Sequence, residues 1–157
     1  MNTTLWNGDC LELMKDIPDG SVDLVLTDPP YGTTACKWDS VIPFEPMWEQ
    51  LNRIIKPNGA ICLFGSEPFS SALRMSNIKH FKYDWIWEKT LASNFSLCKK
   101  QPNKKHEIVS VFYKSQPTYN PQMETGKPYK DKERKRTVGV HGGKEKTKKP
   151  IENNGTR

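Results

Sequence analysis

The feature that most constrains the fold is a short apolar segment that ends abruptly at a carboxylate and two prolines. The segment is Val22-Asp23-Leu24-Val25-Leu26-Thr27, and Asp28-Pro29-Pro30-Tyr31 follows it directly. A nearly continuous apolar run of this length is typical of a buried parallel strand, and proline is excluded from the middle of a sheet. The strand is therefore predicted to end before Asp28. Ligands of open α/β sheets bind at the carboxyl ends of the strands, so the following loop is the first candidate for a functional site.

Strands and helices alternate through the first 114 residues. A helix with Met47, Leu51 and Ile54 on one face is predicted over residues 46–55. The other predicted elements are a strand at 3–7, a short helix at 11–17, strands at 60–64, 83–88 and 108–113, and a helix that begins near residue 68. This alternation favours an α/β fold with a parallel or mixed sheet of the Rossmann-like class.

Positive charge is concentrated near the carboxyl end of the chain. Residues 1–123 hold 13 Lys and Arg against 13 Asp and Glu, whereas residues 124–150 hold 10 against 4. The sequence from residue 115 onward is rich in lysine, proline and glycine and poor in apolar residues, so it is predicted to be a basic, flexible tail. Two regions are expected, 1–114 and 115–157. A basic arm suits a polyanion such as DNA, and the alternative is a solvated segment that binds nothing.

The cysteines and the apolar runs exclude several other classes of protein. The four cysteines are Cys10, Cys36, Cys62 and Cys98, and none forms a closely spaced pair with another cysteine or a histidine. Neither a metal site nor a redox pair is indicated. No secretory leader or membrane-spanning run is recognisable, and a reducing cytoplasm is the expected location.

The residues at 28–31 are suited to hold a planar aromatic amine. The exocyclic amino nitrogen of adenine or cytosine shares its lone pair with the ring and is a poor nucleophile. The Asp28 carboxylate and the Pro29 carbonyl can each accept one of its N–H groups, which leaves the lone pair localised, and Pro30 adds no competing backbone donor. The Tyr31 ring offers a stacking surface for a base that has left the duplex.

An ordered series of motifs resembles the beta group of S-adenosylmethionine-dependent DNA amino-methyltransferases. The similarity extends over about the first 115 residues, and the ordered set is far more specific than any single member. The matching motifs are Gly8-Asp9-Cys10, Ser21-Val22-Asp23-Leu24, Asp28-Pro29-Pro30-Tyr31-Gly32, Trp38-Asp39, Arg53-Ile54-Ile55-Lys56-Pro57-Asn58-Gly59-Ala60, Trp87-Glu88-Lys89 and Lys105-His106-Glu107-Ile108-Val109.

The resemblance implies a fold, a reaction and a set of catalytic residues. The fold would be the class I methyltransferase sheet in circularly permuted order, with the catalytic motif before the cofactor loop. The reaction would be methyl transfer from S-adenosylmethionine to DNA, on adenine because aspartate stands at position 28, with cytosine as the near alternative. Asp28, Pro29, Pro30 and Tyr31 would be catalytic. Asp9 and Asp28 would contact the cofactor, and the alternative for Asp9 is a helix cap.

Several basic and aromatic residues are candidates for contact with double-stranded DNA. Trp38 can close over a flipped base or serve as a packing anchor, and Lys89 can meet phosphate or lie on the surface. Lysines at residues 104–105 and basic residues of the tail between 130 and 136 can contact the DNA backbone. The candidate residues for contact with DNA are Trp38, Lys89, Lys104, Lys105, Lys130, Arg134 and Arg136.

The family's cofactor loop, Phe-x-Gly-x-Gly after a strand, has no counterpart in these 157 residues. The chain is therefore expected to be the amino-terminal, catalytic half of a bacterial or phage enzyme, with an incomplete cofactor site and a missing carboxyl-terminal half as a possible partner. Two alternatives stay open. One is a non-catalytic DNA-binding remnant or truncated half-enzyme, and the other is a protein amide methyltransferase. The oligomeric state and the recognition sequence are not predicted.

Overall fold

A computed structural model describes residues 2–123, 125–126, 129–130 and 152–153 of the chain. The chain divides into two units, Met1–Thr118 and Tyr119–Arg157. The first unit contains α1 (Cys10–Leu13), β1 (Val22–Thr27), α2 (Phe44–Ile54), β2 (Ile55–Gly65), α3 (Phe69–Ser76), β3 (Phe81–Glu88) and β4 (His106–Phe112). The second unit contains β5 (Tyr129–Lys130) and β6 (Glu152–Asn153), which pair antiparallel. The predicted boundary between residues 114 and 115 stays a prediction.

The four long strands form one mixed sheet in the order β1-β2-β4-β3. Strands β1 and β2 are parallel, whereas β4 runs antiparallel to β2 and to β3. Strand β3 therefore has the same direction as β1 and β2, and these three strands end at one edge of the sheet, where β4 begins. The prediction of an α/β fold with a parallel or mixed sheet is confirmed.

The prediction of a strand over residues 3–7 is wrong. The structure assigns no strand to residues 3–7, and Leu5 is 90% exposed. A strand requires a neighbour to which its backbone N–H and C=O groups can bond, and in the described chain β1 pairs only with β2. A local apolar pattern cannot supply that partner.

The second helix and the second strand meet without a loop. Helix α2 begins after Pro43 and ends at Ile54, and Ile55 already belongs to β2. The register between β1 and β2 then jumps from the pair Val22–Ile55 to the pair Leu24–Ala60. Residues 57–59, which lie between the predicted helix over 46–55 and the predicted strand over 60–64, are thus an irregular segment inside the bounds of β2.

One face of the sheet carries the helices and the main core. The buried residues of this cluster come from the sheet and from helices α2 and α3, and partly buried residues of α1 and β1 pack against them. Its buried members are Met47, Trp48, Leu51, Ile54, Ile55, Ile61, Leu63, Phe69, Leu73 and Phe112. Burial of this apolar surface is the main source of stability for a domain of this size.

The opposite face of the sheet is also apolar, and a second cluster lies there. Cys62, Val109 and Val111 are buried at its centre. Leu26 is the register partner of Cys62, and Trp85 is the register partner of Val109, so both share this face. Leu26 is nevertheless 60% exposed and Trp85 is 51% exposed. All the buried hydrophobic residues of α2 and α3 belong to the first cluster, so neither of these two helices covers this second face.

Candidate active site at the carboxyl end of strand β1

An open cavity of about 710 Å³ lies where the strands of the sheet end. The loop that follows β1 forms one side of it, and residues next to the ends of β2 and β3 and the start of β4 form the rest. A cavity of this volume lies within the range of small-ligand sites, roughly 300–1,000 Å³. Asp28, Pro29, Pro30 and Tyr31 all line it. The four predicted catalytic residues therefore share one wall of one cavity.

The Tyr31 hydroxyl donates a hydrogen bond to the carboxylate of Asp28. The Tyr31 ring stacks on Phe69, with 5.0 Å between the ring centroids and an interplanar angle of 29°. Burial, followed by the hydrogen bond to the Asp28 carboxylate, raises the pKa of the Tyr31 phenol above its usual range. The phenol is therefore a neutral hydrogen-bond donor at ordinary pH, and it holds one oxygen of Asp28 in place.

The loop after Tyr31 is closed by a single carboxylate, that of Asp39. Its Oδ1 accepts the backbone N–H groups of Tyr31 and Gly32, at 2.8 and 2.9 Å. Its Oδ2 accepts those of Thr33 and Thr34, at 2.9 and 2.7 Å. Asp39 is buried. The N–H of Gly32 first of all, together with the Thr34 hydroxyl and the N–H groups of Thr34 and Thr33, lowers the pKa of Asp39 to about 2, although burial opposes this shift.

The far wall of the cavity carries lysines whose charges are partly compensated. Lys89 forms an ion pair with Glu107, with 2.6 Å between Nζ and Oε1, and both side chains are partly buried. The Lys104 ammonium group donates to the Ser66 hydroxyl. Lys89, Glu107, Lys104 and Ser66 all line the cavity. The candidates Lys89 and Lys104 therefore face the same space as Asp28.

Trp38 lines the cavity and is 73% exposed. An aromatic ring with so much of its surface in solvent is not a packing anchor in this structure. Its predicted contact with a base stays a prediction. The ring is free to contact a ligand that enters from solvent.

Asp9 and Lys105 do not line the cavity, and the other three predicted residues belong to the second unit. Asp9 is the N-cap of α1 and accepts the N–H of Leu11 at 2.8 Å, which is the helix-cap alternative, and it is not among the residues that line the cavity. Lys105 pairs with Glu88 on the surface. Lys130 lies in β5 of the second unit. Arg134 and Arg136 lie outside the described residues. The predicted roles of these five residues stay predictions.

Three cavity residues, Asp39, Asn94 and Glu107, make contacts that the sequence did not predict. Asp39 and Glu107 stand in the sequence only as members of the motifs Trp38-Asp39 and Lys105-His106-Glu107-Ile108-Val109. Asn94 adopts φ +65° and accepts the backbone N–H of Lys104 at 2.7 Å, which fixes the segment that holds the cavity lysine. A left-handed asparagine is a familiar turn residue, and its presence before a lysine cluster was the available signal.

Comparison with known proteins gives the class of protein. A family model described as DNA methylase, of the N6 and N4 type, matches residues 22–154. The chain belongs to this family.

Individual relatives are consistent with that assignment. The chain is 44% identical to the type II methyltransferase M.BglII of Bacillus subtilis over a segment covering 36% of this chain and 18% of the relative. It is 30% identical to the type II methyltransferase M.HinfI of Haemophilus influenzae, over 55% of this chain and 32% of the relative. The chain thus spans between about a fifth and a third of these two proteins.

Solved structures share the fold. The PvuII DNA methyltransferase, described as cytosine-N4-specific, superposes with a TM-score of 0.55 and 19% identity, over 75% of this chain and 50% of that one. A complex of M1.HpyAVI with SAM superposes with a TM-score of 0.55 and 19% identity, over 74% of this chain and 58% of that one. At this identity the likeness concerns the fold alone, and the chain spans between 50% and 58% of these two structures.

The described residues include no group of three or more histidine, cysteine, aspartate or glutamate side chains placed to hold a metal ion. A search of the same residues finds no helix long and apolar enough to cross a membrane.

Proposed function

We propose that this chain provides the target-base half of a DNA amino-methyltransferase that acts on adenine, in the cytoplasm of a bacterial cell or of a phage host. The observation that carries the proposal is the position of Asp28, Pro29, Pro30 and Tyr31 on one wall of the cavity at the carboxyl end of β1. Aspartate at position 28 favours adenine over cytosine in the family that the chain resembles.

The proposed chemistry begins with a base that has left the duplex and entered the cavity. The Asp28 carboxylate accepts one N–H of the exocyclic amine, and the Pro29 carbonyl accepts the other. The nitrogen lone pair is then no longer delocalised into the ring, and the nitrogen attacks the methyl carbon of the donor. The bond from that carbon to the donor's sulfur breaks as the new bond forms, and the methylated amine loses a proton to water. Trp38, exposed at the mouth, contacts the base.

The methyl donor in this proposal is S-adenosylmethionine. The chain's own residues suit only part of such a ligand: Asp28 borders the cavity and accepts N–H groups, but no Gly-rich turn is present to approach a cofactor closely. We therefore propose that the remaining contacts come from a carboxyl-terminal half that carries the family's Phe-x-Gly-x-Gly loop. Asp9 contributes to the cofactor site only once that half is in place.

The proposed DNA contacts have two parts. Lys89 and Lys104 line the cavity and can reach phosphates next to the extruded base, with Lys105 beside them on the surface. Lys130, Arg134 and Arg136 belong to the basic segment, whose excess of positive charge suits sequence-independent binding to phosphates. These contacts position the duplex and do not identify its sequence.

The test of the proposed function is the replacement Asp28→Ala, assayed for methylated bases in DNA by mass spectrometry. The assay uses the chain together with a polypeptide that carries the cofactor loop. Loss of a hydrogen-bond acceptor aligned with the reacting group commonly costs several kcal/mol of barrier, so the rate is expected to fall by at least about a hundredfold. DNA affinity should stay within about threefold of the parent, because Asp28 carries no phosphate contact.

Asp23→Ala is the matched control. Asp23 lies on the same strand, is exposed and pairs with Lys56 on the surface, so its loss is expected to leave the methylation rate unchanged. The proposal fails if Asp28→Ala methylates DNA within about tenfold of the parent, a barrier difference of about 1.4 kcal/mol. Complete absence of methylation by the parent pair, with DNA binding retained, would favour the non-catalytic remnant. Methylation of a protein amide instead of DNA would favour the alternative of a protein amide methyltransferase.

A further inference from the structure

The Asp39 carboxylate binds four consecutive backbone N–H groups, those of residues 31 to 34. A carboxylate has about four lone-pair sites, and these four N–H groups, together with the Thr34 hydroxyl, occupy both of its oxygens. All four bonds are between 2.7 and 2.9 Å, which is the range of charge-assisted hydrogen bonds. The arrangement is a small anion cradle in which the anion is the protein's own side chain.

The loop approaches residues 39–41 too closely for ordinary side chains. Gly32 has φ +69°, and a Cβ atom built on it would meet Cγ2 of Val41 at 3.0 Å and the carbonyl oxygen of Asp39 at 3.8 Å. A positive φ and a close contact at one position are two reasons for glycine there. The conformation of the loop over residues 31–34 therefore depends on two residues, Gly32 within the loop and Asp39, whose carboxylate binds it.

The cradle is linked to Asp28 through a single residue. Asp39 binds the N–H of Tyr31, and the hydroxyl of the same Tyr31 donates to the Asp28 carboxylate. The Tyr31 ring is fixed between them by its stack on Phe69. Displacement of the Tyr31 backbone would therefore move the group that holds one oxygen of Asp28.

We infer that Asp39 is a positioning residue, which fixes the loop over residues 31–34 and, through Tyr31, the orientation of the Asp28 carboxylate. The catalytic meaning of this role rests on the proposed function, but the hydrogen bonds themselves do not. A neutral amide at position 39 keeps one acceptor oxygen and places an NH₂ group against two backbone donors, so half of the cradle becomes repulsive. Loop order should then be lost while the sheet remains folded.

The test is amide hydrogen exchange measured residue by residue by NMR on the 157-residue chain, with no DNA or cofactor present. In the parent, the N–H groups of residues 31–34 are expected to exchange at least about tenfold more slowly than in an unstructured chain of the same sequence. Exchange at the unstructured rate would overturn the inference without the need for any variant.

The variant Asp39→Asn is then compared with Asp23→Asn, which makes the same change at an exposed ion pair on β1. Asp39→Asn should accelerate exchange at residues 31–34 by at least about tenfold and leave the buried strand residues Leu63 and Val111 unchanged. Asp23→Asn should change neither set. Parent-like exchange at residues 31–34 in Asp39→Asn overturns the inference. So does equal acceleration in loop and sheet, which would make Asp39 a residue of general stability.

These outcomes are separate from those of the proposed function. A parent that never methylates DNA but shows the expected exchange pattern contradicts the reaction and supports the role of Asp39 in the loop. A parent that methylates DNA normally with an unprotected loop contradicts the role of Asp39 and supports the reaction.

Discussion

At the scale of single residues, the candidate site depends on contacts between residues that are near one another in the loop or the core. Tyr31 makes three such contacts: its ring stacks on Phe69, its hydroxyl donates a hydrogen bond to Asp28, and its N–H donates a hydrogen bond to Asp39. Tyr31 therefore has a structural role in addition to any contact with a base. The stacking of Tyr31 on a base, expected from the sequence, stays a prediction.

The two parts of the Tyr31 side chain can be separated by substitution. Tyr31→Phe keeps the ring stack and loses a hydrogen bond to an exposed carboxylate, so the free energy of unfolding is expected to change by about 1 kcal/mol or less. Tyr31→Ala also loses the packing of a half-buried ring, and a cost of about 2 kcal/mol is expected. Urea unfolding of both variants measures the difference. Equal costs would mean that the ring stack on Phe69 contributes nothing in solution.

The raised pKa of the Tyr31 phenol predicts a dependence of stability on pH. The unfolded chain loses the phenolic proton near the ordinary value of about 10, whereas the folded protein retains it to higher pH. The stability that Tyr31 contributes is therefore complete below about pH 10 and declines as the pH rises toward the folded value. The difference in unfolding free energy between the parent and Tyr31→Phe should shrink between about pH 9 and pH 11. A difference that grows over this range would contradict the direction of the shift.

Residue types and spacing predicted four candidate residues that line the cavity, but not the contacts that hold them in place. Asp28, Pro29, Pro30 and Tyr31 are adjacent in sequence and reach the cavity together because they follow one strand. The role of Asp39 depends on the path by which the chain returns after Gly32. That path includes a positive φ at Gly32, where a Cβ atom would meet Val41 at 3.0 Å, and neither property is encoded in the spacing of the motif.

At the scale of elements, the four strands of the sheet were predictable because each is a compact apolar run between turn residues. The antiparallel insertion of β4 between β2 and β3 was not, since strand order depends on contacts between distant segments. The strand expected at residues 3–7 has the same kind of local pattern but no described neighbour. Pattern identifies a segment that can pair, and only the tertiary structure decides whether it does.

In strand β1 the burial predicted from the sequence differs most from the burial in the structure. Its apolar run predicted burial on both faces, yet Leu26 is 60% exposed, whereas Leu63, opposite Thr27 on the neighbouring strand, is 1% exposed. Leu63→Ala is expected to lower the free energy of unfolding by about 2–5 kcal/mol. Leu26→Ala should cost roughly 1 kcal/mol or less, because most of the side chain is already in water. Urea unfolding of the two variants measures both costs, and because each is a leucine-to-alanine substitution, only the burial of the side chain differs. Equal costs would show that the open face of the sheet is covered in solution.

At the scale of the whole molecule, the chain has a confirmed fold, and its sequence lacks the family's Phe-x-Gly-x-Gly loop. The family model covers residues 22–154, and the related structures extend well beyond the part that this chain matches. The face of the sheet that α2 and α3 leave uncovered is consistent with further protein packing there, since sheets with parallel strands are usually covered on both faces. The missing Gly-rich turn predicts an incomplete cofactor site, which stays a prediction, and the sequence could not show which face of the sheet α2 and α3 leave uncovered.

The central claim is that this chain provides the side of the site that holds the target base and lacks most of the side that holds the cofactor. The most direct test is calorimetric titration of the 157-residue chain with S-adenosylmethionine, alone and with a polypeptide that carries the family's Gly-rich loop. Cofactor affinity in such folds depends on backbone N–H groups at a strand-to-helix turn and on close glycine packing. The account predicts no measurable binding by the chain alone and one-to-one binding by the pair. A one-to-one isotherm with about micromolar affinity for the chain alone would contradict it.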